Sequence, residues 1–166
     1  MNTEMLYPVG LKVTQVELVY KATVKPSERP FIKGSLSAFE VFSESWNQDK
    51  IELLEEFKAM FLNRVGRVLA IADISIGGIS STTVDMRHIM AIGLMLNAVS
   101  LVVCHNHPSG SMYPSNSDDI LTTDLEGCSS IMRIKLLDHI IITREGYYSY
   151  ADEGRLYVHG NSSYVK

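Results

Sequence analysis

Short stretches of alternating or continuous apolar residues recur along the chain, and their lengths are typical of β-strands. Two of these stretches, over 55–62 and 67–76, flank a polar turn that contains Asn63 and Gly66 and so predict a β-hairpin. The strands predicted in this way cover residues 11–25, 55–62, 67–76, 101–103, 136–142 and 147–151. The runs over 101–103 and 136–142 are continuously apolar, which favours buried positions in a sheet.

Apolar residues also recur three or four positions apart over 36–47, 86–97 and 116–130, and this spacing predicts three helices. In the second helix the apolar residues cover more than one face, so it is expected to be largely buried. Ser37, followed by Glu40 three residues later, resembles a capping box and predicts the start of the first helix. Because helices separate some of the strands and tight turns join others, the order of elements predicts an α/β sandwich around a mixed sheet.

The chain has 166 residues and shows no internal repeat or linker, and this predicts a single domain over 1–166. The core that carries its motifs is expected over about 51–152, and the polar residues 153–166 are expected to form a loose tail. Edge strands near both ends of the chain make a homodimer a reasonable expectation.

Composition narrows the functional classes. The net charge of −4 at pH 7 argues against a protein that binds nucleic acid through a broad basic surface. No apolar run approaches the roughly 20 residues of a membrane span, and no basic residue precedes an apolar run at the start, so neither a membrane anchor nor a signal peptide is expected. Cys104 and Cys128 show no CxxC spacing and are expected to be reduced thiols in a cytoplasmic protein.

The most informative stretch follows the apolar run over 101–103 and carries His105 and His107. Side chains alternate along a strand, so two histidines two positions apart point the same way at its end. A Pro-Ser-Gly turn follows directly, where the backbone can approach another group closely. A His-x-His pair alone is a weak signal, but this position predicts two ligands of a metal site.

A carboxylate completes the predicted metal site. Asp118 lies eleven residues after His107, at the start of the third predicted helix, and Ser115 lies three residues before Asp118. The two residues also fit a helix N-cap with an acidic third position, and both functions are compatible. Asp119 should point about 100° away around the helix and is expected outside the ligand set. Two histidines and one carboxylate leave a fourth position open, as catalytic zinc sites do.

Hydrolysis at such a site also needs a group that moves protons. Zinc lowers the pKa of its bound water to about 7. A nearby carboxylate can then accept the proton and return it to the leaving group. Glu55 and Glu56, at the start of the strand predicted over 55–62, are the candidates, and the residues alone leave the choice between them open.

The spacing of these residues closely resembles the JAMM metal-binding motif: His105-x-His107, seven residues, Ser115, two residues, and Asp118. With Asn106 and the Pro-Ser-Gly turn after His107 included, the sequence resembles the RadC-like branch of the JAB/JAMM (MPN) metalloprotease superfamily. The similarity extends from about residue 55 to residue 151.

This resemblance implies a three-layer α/β/α sandwich with a mixed sheet, similar to the fold of cytidine deaminases. It also implies that His105, His107 and Asp118 hold zinc and that Ser115 helps to stabilise the oxyanion. In the family the glutamate base lies two residues before a phenylalanine, which selects Glu55 over Glu56.

The chain departs from its longer relatives in two places. No helix-hairpin-helix module for DNA is recognisable in residues 1–35, and Ser111, Met112 and Tyr113 replace a loop of small polar residues. The family pattern also includes Asp138 and His139, which are expected to lie at most next to the ligands.

The leading functional hypothesis is a zinc-dependent hydrolase that cleaves a peptide or isopeptide amide bond in a peptide or protein substrate. The alternative is a RadC-type accessory protein of DNA repair or of a mobile element, with a metal site but no peptidase activity. A third hypothesis is a module that only binds a partner's tail, which an intact set of ligands disfavours. A nucleoside deaminase is disfavoured because its H-x-E and P-C-x-x-C ligands are absent.

Overall fold

The computed structural model describes residues 19, 22–77 and 84–156. Within these ranges, three α-helices and five β-strands follow a short 3₁₀ helix at Pro26–Glu28. In chain order they are α1 (Ser35–Ser45), β1 (Glu56–Leu62), β2 (Val68–Ile76), α2 (Met86–Met95), β3 (Ser100–Asn106), α3 (Asn116–Ile131), β4 (Lys135–Ile142) and β5 (Tyr147–Ser149). None of the helices in these ranges is long and apolar enough to cross a bilayer.

The five strands form one sheet in the order β2-β1-β3-β4-β5. β3 and β4 run parallel and are connected through α3, whereas every other neighbouring pair is antiparallel. β3 is therefore the central strand, and all seven of its residues are buried. This arrangement confirms the predicted α/β class with a mixed sheet.

Helices cover both faces of the sheet. On one face Phe42 of α1 packs with Met60 and Val102. On the other face Ile89 of α2 and Leu125 of α3 pack with further core residues from the sheet. Strand side chains alternate between these two cores, as the pleat requires. The result is the three-layer α/β/α sandwich that the family resemblance implied.

The predicted cap of the first helix was wrong, because Gly34 is the N-cap residue and Ser37 lies in the first turn. The Ser37 hydroxyl instead accepts the backbone N–H groups of Lys33 and Gly34 at 2.8 and 3.1 Å. The strand predicted over 11–25 lies mostly outside the described residues, and its described residues, 19 and 22–25, belong to no strand. The predicted tail is described only as far as residue 156.

A β-bulge in β4 decides which side chains face α3. Leu101 pairs with Leu136, but the next residue of β3 pairs with Asp138, so β4 contains one extra residue at this point. Leu136 and His139, three positions apart, therefore face the same side of the sheet. Without the bulge, His139 would point into the core under α1.

Asn106, the last residue of β3, ties this strand to the segment before β1. Its fully buried side chain accepts the backbone N–H of Glu56 at 2.8 Å. Its amide nitrogen donates to the carbonyls of Ile51 and Leu54 at 2.6 and 2.8 Å. Residues 51–54 belong to no helix or strand, so Asn106 supplies a hydrogen-bond donor to these two carbonyls.

Replacing Asn106 with alanine is expected to lower the free energy of unfolding by about 2–4 kcal/mol, because three backbone groups lose their partner. Urea denaturation followed by circular dichroism measures this change. The control is Asn116→Ala, which removes an exposed amide and is expected to stay within about 0.5 kcal/mol of the wild type. Equal stability of the two variants would contradict the role given to Asn106.

Candidate metal centre

His105 and His107 lie at the end of β3, where the central strand meets the loop to α3. His105 is almost completely buried on the side of α2 and α3, and His107 is partly exposed. The backbone N–H of His107 donates to the carbonyl of Ile142 at 3.1 Å, which extends the alignment with β4 beyond the strand. Both rings therefore point to the same side, with their Nε2 atoms 3.0 Å apart.

Asp118 meets the two histidines from the first turn of α3. Its Oδ1 lies 3.3 Å from Nε2 of His105, and its Oδ2 lies 3.5 Å from Nε2 of His107. Ser115, the N-cap residue, donates its backbone N–H and its hydroxyl to the same Oδ2 at 2.6 and 2.7 Å. The capping interaction thus holds the carboxylate towards the imidazoles. Asp118 therefore takes part in the helix cap and also lies beside both histidines.

The spacing of the three side chains suits a metal ion. One ligand atom from each of His105, His107 and Asp118 lies within 4.8 Å of the others, so the group could hold a metal. Nitrogen and oxygen ligands at zinc distances of about 2.0–2.2 Å in a tetrahedron lie about 3.3 Å apart. The Nε2 atoms of His105 and His107 lie 3.0 Å apart, and Oδ1 of Asp118 lies 3.3 Å from Nε2 of His105, so these two separations are close to such edges.

The pKa values of the site show that it attracts positive charge. Burial raises the pKa of Asp118, but the adjacent imidazoles of His105 and His107 outweigh burial and hold it well below its ordinary value. Burial lowers the pKa of His107, but the adjacent Asp118 carboxylate and the hydrogen bond with the Ser111 carbonyl outweigh burial and raise it. The carboxylate therefore stays ionised and favours a cation beside it.

Further residues contact the back of the site. Nδ1 of His105 lies 2.8 Å from Nε2 of His139, and Nδ1 of His139 lies 2.7 Å from Oγ1 of Thr122. Nδ1 of His107 donates to the Ser111 carbonyl at 2.7 Å. Burial lowers the pKa of the fully buried His139 well below its ordinary value. His139 lies next to the predicted ligand His105, in line with the family pattern, and Thr122 is a contact that no pattern predicted.

Two signals in the sequence point to the residues that were missed. Thr122 lies four positions after Asp118, so both share one face of α3. Asn106 lies between the two histidines in a buried strand, where an amide must find hydrogen-bond partners. Neither signal identifies the partner, because that group lies on another element.

Glu55 and Glu56, the two candidate bases, lie on opposite sides of β1. The Glu56 carboxylate lies 3.7 Å from Nζ of Lys58, which lies over Trp46 in the layer under α1. Glu55 immediately precedes β1, is partly exposed and adds to the rise in the pKa of His107. Phe57, two residues after Glu55, stacks on the His105 ring at 6.1 Å. Alternation therefore turns Glu55, and not Glu56, towards the histidines.

Neighbouring side chains have other roles. Cys104 points into the core under α1, where burial raises the pKa of its thiol well above the ordinary value. Asp119 accepts hydrogen bonds from Tyr150 at 2.8 Å and Arg155 at 2.7 Å, away from the converging ligands. Tyr113, in the loop between His107 and Asp118, is 80% exposed. Cys104 and Asp119 thus face away from the site.

The chain resembles known proteins over most of its length. Residues 32–155 match the family model described as a RadC-like JAB domain. The UPF0758 protein of Flavobacterium johnsoniae is 45% identical over 100 residues, which cover 60% of this chain and 44% of the relative. The UPF0758 protein of Pasteurella multocida is 32% identical over 158 residues, which cover 91% of this chain and 70% of the relative.

A third relative is the UPF0758 protein of Porphyromonas gingivalis, 38% identical over 103 residues that cover 61% of this chain and 45% of the relative. The matches thus span about half the length of the Flavobacterium and Porphyromonas relatives. The family match includes all of the strands and helices from α1 to β5 that surround the converging histidines and aspartate. The chain belongs to the RadC-like JAB domain family.

Proposed function

We propose that this chain is a zinc-dependent hydrolase of the JAMM type that cleaves a peptide or isopeptide amide bond. The observation that carries the proposal is the approach of His105, His107 and Asp118 to one another at separations of 3.0–3.5 Å. When the rings are neutral and the Ser111 carbonyl accepts the proton of His107, the Nε2 atom of that ring carries only a lone pair.

Zinc is the metal that we propose for this donor set. Two imidazole nitrogens and one carboxylate oxygen form the three-ligand pattern of catalytic zinc sites, with a further position for water or substrate. When bound there, zinc would polarise the scissile carbonyl and lower the pKa of a water molecule. His107 and Asp118 are less buried than His105, so substrate would approach from their side.

Glu55 is the proposed general base. Its carboxylate acts electrostatically on His107 and is partly exposed, so it can take a proton from water and deliver it to the leaving amine. Asn106 holds both the turn over 51–54 and the backbone N–H of Glu56, the two neighbours of Glu55 in the chain. This attachment restrains the segment of the chain that carries the proposed base.

Ser115 is the proposed donor to the oxyanion. Its hydroxyl donates to Oδ2 of Asp118 at 2.7 Å, and its backbone N–H donates to the same atom at 2.6 Å. If the hydroxyl turns towards substrate, the backbone N–H still holds the carboxylate. The Ser115 side chain can therefore stabilise developing negative charge, a contribution of about 3 kcal/mol in comparable sites, without releasing Asp118.

Metal content tests the ligand assignment. Protein purified without added metal is expected to contain about one zinc ion per chain by inductively coupled plasma mass spectrometry. His107→Ala is expected to lose most of this zinc, because a ligand is removed. His88→Ala is the matched control, since His88 is an exposed histidine on α2, and it should retain the metal. A wild-type protein without metal, or full zinc in His107→Ala, would contradict the proposed site.

Glu55→Gln tests the base. This variant is expected to retain zinc and to hydrolyse amide substrates about 10²–10⁴-fold more slowly, because the amide cannot accept a proton. Glu56→Gln is the control, since its side chain faces Lys58, and it should keep most of the activity. Rates are measured on a panel of peptide and isopeptide substrates.

Two results would count against the enzymatic assignment. If zinc-loaded wild-type protein cleaved no member of the panel and Glu55→Gln trapped no substrate, the hydrolase would be rejected while the metal site remained. If Glu56→Gln lost activity and Glu55→Gln kept it, the base would be the wrong glutamate.

A further inference from the structure

We propose that Thr122 and His139 form a relay of hydrogen bonds that fixes the tautomer of His105, so that its Nε2 lone pair faces the metal position. Both are positioning residues, because they act on the metal through His105 and do not touch it. The inference rests on the proposed metal site and concerns how the chain prepares that site before the metal binds.

The direction of the relay follows from the Thr122 hydroxyl. Its Oγ1 lies 2.6 Å from the backbone carbonyl of Asp118 and 2.7 Å from Nδ1 of His139. A carbonyl can only accept, and a hydroxyl has one hydrogen, so that hydrogen is donated to the carbonyl. Thr122 must therefore accept the second hydrogen bond, which requires a hydrogen on Nδ1 of His139.

The next step depends on the His139 ring. This ring is fully buried, stacks on Tyr150 with centroids 5.0 Å apart and meets the edge of Phe57 at 5.7 Å. The relay concerns the neutral form of this ring, which its burial against Tyr150 and Phe57 favours over the charged imidazolium. With its hydrogen on Nδ1, its Nε2 carries a lone pair. The two aromatic contacts also hold the plane of the ring, so that its two nitrogens remain aligned with their partners.

The lone pair of His139 then determines the state of His105. Nδ1 of His105 lies 2.8 Å from Nε2 of His139, so His105 must donate a hydrogen from Nδ1. The neutral His105 ring therefore carries a lone pair on Nε2, the atom that lies 3.3 Å from Asp118 and 3.0 Å from His107. In the opposite tautomer the Nε2 hydrogen would point at Asp118, and a metal ion would first have to displace it.

The relay also explains why Asp118 and Thr122 occur one helical turn apart. Thr122 bonds to the carbonyl of Asp118 while the side chain of Asp118 faces the two histidines. The same turn of α3 therefore supplies one metal ligand and sets the protonation of another. Because the relay consists of uncharged groups, it orients His105 without adding negative charge next to the metal position.

Metal affinity is the first test. Metal-free protein is titrated with Zn²⁺ in competition with a chromophoric chelator. Thr122→Val keeps the shape of the side chain but removes the hydroxyl, and its zinc affinity is expected to fall about 10–100-fold. Thr122→Ser restores the hydroxyl and is expected to restore most of the affinity. Wild-type affinity in Thr122→Val would overturn the relay.

Thr123→Val is the matched control. Thr123 makes the same type of bond, from its hydroxyl to the carbonyl of Asp119 at 2.9 Å. Unlike Thr122, Thr123 is exposed, and the hydroxyl that lies against Nδ1 of His139 is that of Thr122. This variant should lower helix stability to a similar extent and leave zinc affinity unchanged. An equal loss of affinity in Thr123→Val would show that a weakened helix, and not the relay, is responsible.

The second test needs no metal and no variant. Long-range ¹H–¹⁵N NMR spectra of the metal-free protein, at a pH where the rings are neutral, report which nitrogen of each imidazole carries the hydrogen. Hydrogens on Nδ1 of both His105 and His139 are expected, and a hydrogen on Nε2 of either ring would overturn the inference. If the wild-type protein bound no zinc but showed these tautomers, the proposed function would fail and the hydrogen-bond relay would stand.

Discussion

The approach of two imidazole nitrogens and a carboxylate at the end of β3 is the interaction on which the site depends. In the tautomers proposed above, electron pairs on these groups lie 3.0–3.5 Å apart and repel one another unless a cation lies between them. The protein accepts this repulsion in a buried position because the partners behind each group are fixed: Ser115 for Asp118, Ser111 for His107 and His139 for His105. A site with fixed donors needs little reorganisation when a divalent cation enters.

Because side chains alternate along the central strand β3, its last residues contact groups on both faces of the sheet. His105 faces the layer of α2 and α3, where the ligands meet, and Asn106 turns the other way and holds the segment that carries Glu55. The neighbouring strand β4 contributes His139 only because its bulge shifts the alternation by one residue. One strand end therefore connects the proposed metal ligands, the proposed base and the proposed relay, which is why these residues come from β3, α3, β4 and the segment before β1.

Much of this architecture could be predicted from local patterns. The spacing of His105 and His107 on a strand fixes their common direction, and the capping pattern of Ser115 and Asp118 fixes where α3 begins. The hairpin of β1 and β2 followed from its turn residues. By contrast, the cap at Ser37 was misplaced, because Gly34 can also take the N-cap position and a serine can accept the same N–H groups from inside the first turn.

The sequence by itself determined the fold class, the family motif and the identity of the converging side chains, because these depend on periodicities within single elements. Only the tertiary structure decided that Glu55 lies on the histidine side of β1, that Asn106 holds the turn before it, and that Thr122 and His139 stand behind His105. These contacts join residues up to 55 positions apart. They depend on strand register, on a bulge and on helix packing, which no local pattern specifies.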